Sequence, residues 1–251
     1  MALPAQEQKH AFVHAQFERI AAKYDLTNDV ISFGMHRLWK ERAVQILLKN
    51  AQNAQNATNA QNRSYLDVCC GTGDLSLRIA SKLKDQDSVT GLDFSGNMLS
   101  CAASRLDKAG DVISCKVSFV EGDAQNLPFQ QDQFDGAIIS FGLRNLTDLP
   151  RGIAEMTRVV KPGGLVLNLD LGEAQGPIFA PLFALHFDVI VPMIGAIVQN
   201  DRSAYTYLPE SRTTYPKPAG ISKIFEESGL IDVKHISLAG GSVALHTGRV
   251  P

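Results

Sequence analysis

The chain has 251 residues, which is enough for one domain with additions and a large buried core. Hydrophobic residues make up 45% and charged residues 20%, as is ordinary for a soluble globular protein. The formal net charge is −2, so the composition gives no electrostatic footprint for nucleic acid. Four cysteines at 69, 70, 101 and 115 match no zinc-binding spacing and predict thiols in a reducing cytoplasm, and the N-terminus predicts no secretory signal.

The first part of the chain is predicted to be helical. Apolar residues recur at helical spacing from Phe12 to Lys49, so we predict an N-terminal helical cap over residues 1–49. The repetitive run NAQNAQNATNAQN then lacks apolar periodicity, and residues 50–63 are predicted to be an exposed linker. Residues 64–251 form the predicted main domain.

In the main domain, strand-like runs alternate with helical patterns. The predicted strands are residues 65–70, 88–93, 116–120, 134–140 and 165–170, and the predicted helices are 75–83, 96–108 and 149–160. This alternation predicts an α/β fold with a parallel sheet covered on both faces. The runs LIDVKHIS and SVALHTG, joined by LAGG, predict an antiparallel hairpin that closes the sheet.

Residues 176–199, GPIFAPLFALHFDVIVPMIGAIVQ, are long and apolar enough to suggest a membrane span. Three prolines in this segment would break a single helix, and His186 and Asp188 would lie in hydrocarbon at a cost of a few kcal/mol. We therefore predict an apolar cap inserted at about residues 172–215. Its short helices would cover a pocket or rest on a membrane surface.

The glycine turn in DVCCGTGD follows the first strand, where ligands of doubly wound sheets bind. A phosphate-binding loop would need Gly and Lys where the chain has Ser76 and Leu77. A dinucleotide fingerprint would need Gly or Ala at Ser76, and Asp74 at the helix N-terminus would repel a pyrophosphate. The turn therefore favours a ligand that is cationic or neutral at this point.

Acidic residues also end the next two strands. Asp93 ends SVTGLD, where a carboxylate accepts two hydrogen bonds from a ribose diol. Asp123 and Ala124 follow the third strand, where an acid accepts from the adenine amine and a backbone amide donates to the ring. Together these turns describe an adenosine without phosphates, and S-adenosylmethionine fits because its tail is an amino acid and its sulfonium is positive.

Four motifs in order resemble the Rossmann-like S-adenosylmethionine-dependent methyltransferases: DVCCGTGD, GLDFSGNML, EGDAQNLPF and VVKPGGLVL. FERIAAKYDLTNDVISFGMHRLWK, FGLRNLTD and YTYLPES further resemble the C-methyltransferases of menaquinone and ubiquinone biosynthesis. The resemblance extends from Phe12 to the C-terminus except for the Asn/Gln-rich run. It implies a mostly parallel seven-stranded sheet with an antiparallel last strand, and S-adenosylmethionine as the cofactor.

The resemblance also implies cofactor contacts at the strand ends, by Thr72, Asp93, Asp123, Ala124 and Ser140. Gly71 and Gly73 complete the predicted cofactor site. Asp67 either holds the methionine amine through water or steadies the glycine turn. No residue is a convincing metal ligand, and the predicted chemistry needs no metal.

A ring carbon becomes an adequate nucleophile when a neighbouring hydroxyl is deprotonated, so we expect a hydroquinone as substrate. Arg144 is the candidate that favours the phenolate, and Asn145 is predicted to bind the second oxygen. Alternatively, Arg144 pairs with a structural acid and Asn145 caps a turn. Tyr24 and His36 are candidates to reach over the pocket from the N-terminal helices, but packing or a surface position explains either equally well.

The implied reaction is C-methylation of a polyprenylated demethylmenaquinol. A benzoquinol of the ubiquinone pathway or a phytyl naphthoquinol stays open as substrate, and so do two other classes, a nicotinamide oxidoreductase and a noncatalytic quinone-binding protein. The apolar cap suits an isoprenoid tail and predicts peripheral membrane contact by a cytoplasmic protein. A homodimer is also left open.

Overall fold

The computed structural model describes residues 6–53, 62–114, 116–199 and 213–251. Its strands are β1 (Ser64–Val68), β2 (Ser88–Asp93), β3 (Val117–Glu121), β4 (Phe134–Ser140), β5 (Val160–Leu171), β6 (Ile231–Leu238) and β7 (Val243–Arg249). They form one sheet in the order β3-β2-β1-β4-β5-β7-β6. The first five strands run parallel, whereas β7 is antiparallel to both β5 and β6. The predicted α/β fold and its closing hairpin are therefore confirmed.

The helices precede, connect and follow the strands. They are α1 (Gln6–Ile20), α2 (Tyr24–Ser32), α3 (Met35–Asn53), α4 (Asp74–Ala80), α5 (Gly96–Asp107), α6 (Asp111–Ser114), α7 (Leu149–Val159), α8 (Phe179–Leu185), α9 (Val191–Gln199) and α10 (Pro218–Glu227). Local sequence sets several starts. The Asp148 side chain accepts from the Arg151 N–H at the start of α7, and the Ser95 side chain accepts from the Met98 N–H at the start of α5.

Apolar cores lie on both faces of the sheet. Helices α3 and α4 cover one face through Ala43, Val44, Leu47, Leu75 and Ile79. Helices α7 and α10 cover the other through Ile153, Met156, Ile221 and Phe225. A third cluster joins α1 and α5 to the segment after β5, through Ile20, Met98, Phe187 and Val191. The N-terminal helices and the apolar segment are therefore packed together over the carboxyl ends of the parallel strands.

Helix α3 continues through residues 50–53, the first residues of the predicted linker. The Asn50 side chain donates to the Gly163 carbonyl oxygen at 3.3 Å and accepts from Arg249 at 2.9 Å, which ties this end of α3 to the sheet. Residues 54–61 of the predicted linker lie outside the described residues, as do Cys115 and residues 205–211 of the motif YTYLPES.

The apolar segment differs from the prediction of separate short helices. Helices α8 and α9 are joined by a π-helical turn, His186–Ile190, so residues 179–199 form one uninterrupted helical segment. Pro181 lies in the first turn, where no helical N–H is lost, and the wider π turn directly precedes Pro192 and accommodates its ring. By length and composition alone, Phe179–Val198 is able to cross a membrane, which is weak evidence for a span.

Candidate active site

Two cavities meet above the carboxyl ends of β1 and β4. With their open mouths they enclose about 650 and 820 Å³, enough for a nucleoside and an aromatic ring respectively. Tyr24, Ser140 and Phe141 line both of them. A ligand in the first cavity and a ligand in the second would therefore approach each other at these three side chains.

The first cavity brings together residues predicted for the cofactor from four separate turns: Gly71, Asp93, Asp123, Ala124 and Ser140. Val13, Phe17 and Phe94 also line it, and sequence reasoning did not assign them to the site. An apolar helix residue such as Phe17 carries no local signal that separates a pocket wall from a core position.

Asp93 lies at the base of the first cavity and is 4% exposed. One carboxylate oxygen accepts from the Gly71 N–H at 2.8 Å, and the other accepts from the Ser95 N–H at 3.0 Å. Burial raises the pKa of Asp93, although these amide bonds lower it. The Phe94 N–H also bonds to this carboxylate, so three backbone amides hold it in place, and its remaining acceptor capacity is available to a diol.

Asp123 and Ala124 line the same cavity from the turn after β3. The Asp123 Oδ1 accepts from the Gln125 N–H at 2.8 Å, which fixes the carboxylate in the turn. Within the described residues, Oδ2 of Asp123 has no hydrogen bond. Its acceptor capacity is therefore available to an amine of a ligand.

Two buried polar atoms at this cavity lack partners among the described residues, namely the Ser140 Oγ and the Asn145 Oδ1. An unsatisfied buried polar atom costs about 1–3 kcal/mol, which a ligand with complementary groups removes. The methionine and ribose groups of S-adenosylmethionine carry such donors, so the cavity fits this molecule. Asn145 borders this first cavity and not the second, where a contact with the substrate's second oxygen was predicted.

Side-chain hydrogen bonds hold the glycine turn to the end of β1 and to the N-terminal helix α2. Asp67 is 1% exposed, accepts from the Ser76 Oγ at 2.6 Å and lines neither cavity, which favours the turn-steadying alternative. Burial raises the pKa of Asp67 to about 7, although the Ser76 bond opposes it. The Thr72 hydroxyl donates to the Asp25 Oδ1 at 2.8 Å instead of lining the cavity. The side chains of Asp67 and Thr72 are therefore held by Ser76 and Asp25, and their predicted cofactor contacts stay predictions.

Gly73 is needed at the start of α4 for two reasons. Its φ is +75°, and a Cβ at this position would lie 2.8 Å from the Phe119 ring. Gly73→Ala is expected to lower the free energy of unfolding by roughly 2–3 kcal/mol in urea titrations. Gly110→Ala is the matched control, because its φ is +83° but no atom of the described residues lies within 4 Å of where a Cβ would be. A loss of about 1 kcal/mol is expected there, and equal losses would contradict the packing argument.

Asp74 is ion-paired rather than an isolated negative charge. It binds Lys40 of α3 at 3.0 Å and Arg78 at 3.6 Å. Burial alone would raise the pKa of Asp74, but Lys40, Arg78 and Arg105 lower it on balance. The expected repulsion of a phosphate by Asp74 is therefore weaker than the sequence suggested, because cations from other helices balance it.

The second cavity has largely apolar walls with a few basic groups. Its lining includes Ile31, Trp39, Leu171, Phe183, Phe187 and Val243, together with His36, Lys40, Arg144 and His186. The Arg144 Nη1 lies 2.5 Å from the Asp170 Oδ1, and Asp170 is fully buried. Arg144 thus pairs with a structural acid, as the alternative stated, and it also borders this cavity.

Comparisons with known proteins bear on these two cavities. Residues 4–250 match the model of the ubiE/COQ5 methyltransferase family. The chain belongs to this family. A curated relative named demethylmenaquinone methyltransferase from Desulfitobacterium hafniense is 40% identical over 98% of this chain and 92% of its own length. A relative of the same name from Staphylococcus aureus is 36% identical over 94% of this chain and 92% of its own.

Solved structures agree in fold. An Aquifex aeolicus S-adenosylmethionine-dependent methyltransferase has a TM-score of 0.57 at 15% identity, covering 83% of this chain and 89% of its own. One from Thermotoga maritima, titled a possible histamine N-methyltransferase, has a TM-score of 0.58 at 17% identity, covering 95% and 99%. Family and fold together confirm that this protein is a methyltransferase and that S-adenosylmethionine is its cofactor.

Proposed function

We propose that this methyltransferase methylates a ring carbon of a polyprenylated demethylmenaquinol. The observation that carries the proposal is the meeting of the two cavities at Tyr24, Ser140 and Phe141. The first cavity suits S-adenosylmethionine, which supplies an electrophilic methyl group. The second suits an aromatic ring with an apolar tail, and the names of the curated relatives support the naphthoquinol as that ring.

The residues at the junction align the two ligands and exclude water. Such alignment lowers the barrier because the reacting atoms are held near contact distance. Arg144 borders the ring cavity, and the part of its positive field that Asp170 does not cancel favours the phenolate form of a bound quinol. Phe141 lies under the Arg144 guanidinium, with 5.8 Å from its Cζ to the ring centroid, and limits where that cation sits.

The tail of the substrate is expected to leave through the apolar surface beside the second cavity. Large apolar side chains there are more than half exposed: Leu26, Phe33 and Leu38 from the N-terminal helices, and Ile178, Leu182, Leu185, Met193 and Ile197 from the apolar segment. The Phe33 ring lies 5.6 Å from the His186 ring, so the two parts are continuous. This surface supports peripheral contact with a membrane from the cytoplasmic side.

The test is methyl transfer from labelled S-adenosylmethionine to demethylmenaquinone and to a ubiquinone-pathway benzoquinone, each offered reduced and oxidised. We expect transfer only to the reduced naphthoquinol, because an oxidised ring has no hydroxyl to ionise. Transfer to both reduced rings would show that the pocket recognises hydroxyls and tail rather than ring size. Transfer to the oxidised form, or to no quinol while the cofactor binds, would contradict the proposal.

A further inference from the structure

His36 is a buried histidine in the second cavity, and its hydrogen bonds define its tautomer. It is 8% exposed, and its Nδ1 lies 2.7 Å from the Ser32 Oγ. The Ser32 hydroxyl donates its single proton to the Asn28 carbonyl oxygen at 2.7 Å. With that proton on Asn28, the Ser32 hydroxyl accepts from His36, and on this basis the hydrogen of His36 is assigned to Nδ1 and the lone pair to Nε2.

The carboxylate of Asp29 lies near that lone pair. Its Oδ1 is 3.7 Å from the His36 Nε2, and both of its oxygens accept from Arg37. A neutral Nε2 has no hydrogen to share with Asp29, but a protonated Nε2 forms an ion pair with it. The arrangement thus stabilises His36 after it has taken a proton rather than before.

Burial, together with two nearby cations, keeps His36 neutral in the resting protein. Burial lowers its pKa from 6.5, and Lys40 and Arg37 of α3 lower it further, whereas Asp29 of α2 and Asp74 of α4 raise it. Arg144 and His186 line the same cavity. A neutral imidazole is available as a base near pH 7. Lys40 and Arg144, which also line the cavity, are cations and have no lone pair that could accept a proton.

We propose that the His36 Nε2 accepts the proton of the quinol hydroxyl beside the methylated carbon, an assignment that rests on the proposed function. The O–H bond breaks, the N–H bond forms, and the ring carbon bonds to the methyl group while the C–S electron pair stays on sulfur. The ring C–H proton then passes to solvent as His36 returns its proton to the ring oxygen. One proton is released for each methyl group transferred.

His186 is the main competitor, because it borders the same cavity. Its Nε2 lies 3.0 Å from the Ile31 carbonyl oxygen, so this nitrogen carries a hydrogen and donates. The neighbour of the His186 ring is Phe33, which offers no charge to an imidazolium. His36 differs because its lone-pair nitrogen faces a carboxylate.

The test uses the full-length variant His36→Asn, whose amide still donates to Ser32 but has no basic nitrogen. We expect kcat on demethylmenaquinol to fall by about 100-fold or more near neutral pH, with S-adenosylmethionine affinity within about twofold of the parent. The parent kcat should rise with pH through a limb below 6.5 and then level. The variant should lose that limb and rise about tenfold per pH unit as hydroxide replaces the base.

A readout without turnover completes the test. In ¹⁵N spectra assigned by comparison with His36→Asn, the resting His36 Nε2 should be unprotonated, and its signal should shift when 1-naphthol binds. The assignment is wrong if the resting Nε2 is protonated or if its ¹⁵N signal does not shift when 1-naphthol binds. It is also wrong if the pH dependence of kcat below 6.5 is unchanged in His36→Asn, or is lost in His186→Asn instead. If the parent protein methylates no quinol, the proposed function is wrong, and the role of His36 is wrong with it. The two histidine variants test only the role of His36, so the two failures can be told apart.

Discussion

Asp93→Asn is expected to lower the affinity for S-adenosylmethionine by about 100-fold or more. Two charge-assisted bonds to the ribose are each worth about 1.5–3 kcal/mol, and asparagine keeps only one acceptor oxygen. In the parent protein, the N–H groups of Gly71 and Ser95 each donate to one oxygen of Asp93. The NH₂ group of asparagine would replace one of these oxygens and could not accept from the N–H group opposite. Isothermal titration with S-adenosylmethionine measures the loss directly.

Ser95→Ala is the control for disturbance of the turn. It removes the hydroxyl that caps α5 and donates to Glu18, but it keeps the backbone N–H that binds Asp93. A loss of about 1 kcal/mol in stability with unchanged affinity is expected. If Asp93→Asn binds the cofactor as tightly as the parent, the ribose assignment is wrong.

The parallel sheet could be predicted because its signals are local. Each strand is a short apolar run, and each turn that follows it contains residues whose chemistry is visible in the sequence, such as Asp93 and Asp123. The parallel topology then places those turns at one edge of the sheet. Five of the predicted cofactor residues line one cavity for this reason.

Contacts between distant segments could not be predicted in the same way. The pairing of Asp74 with Lys40 and the bond from Thr72 to Asp25 join the glycine turn to the N-terminal helices. Nothing in a single sequence gives the angle at which these helices cross the sheet. The sequence therefore predicted Thr72 as a cofactor contact, whereas in the structure its hydroxyl donates to Asp25 of α2.

The prediction of separate short helices in the apolar segment is wrong because proline does not break a helix at every position. Pro181 lies where a helix has no N–H to lose, and a π turn before Pro192 gives the ring room. The resulting helical segment lines the second cavity with Phe183 and Phe187 on one side and exposes apolar side chains on the other. One element thus lines the cavity proposed for the ring and also carries part of the surface proposed for the tail.

Arg144 has one observed role, the ion pair with Asp170, and one proposed role at the ring cavity, and a single substitution cannot separate them. Arg144→Met removes a cation from the ring cavity and leaves the buried Asp170 carboxylate without its countercharge. Such a loss is expected to destabilise the fold by about 3–5 kcal/mol, measured by urea unfolding. Turnover on demethylmenaquinol should also fall, by roughly 100-fold, because the phenolate loses its cation.

The double variant Arg144→Met/Asp170→Asn separates the two roles. Neutralising Asp170 removes the buried charge, so most of the lost stability should return. The Asp170 Oδ1 accepts from the Leu171 N–H at 2.8 Å, and an asparagine oxygen keeps that bond. The longer bond from the Arg144 N–H to Oδ2, at 3.2 Å, is lost because the asparagine amide group cannot accept. If Arg144 favours the phenolate, turnover stays low in the stable double variant while cofactor affinity is kept. Recovery of turnover together with stability would instead mean that Arg144 serves only to pair with Asp170.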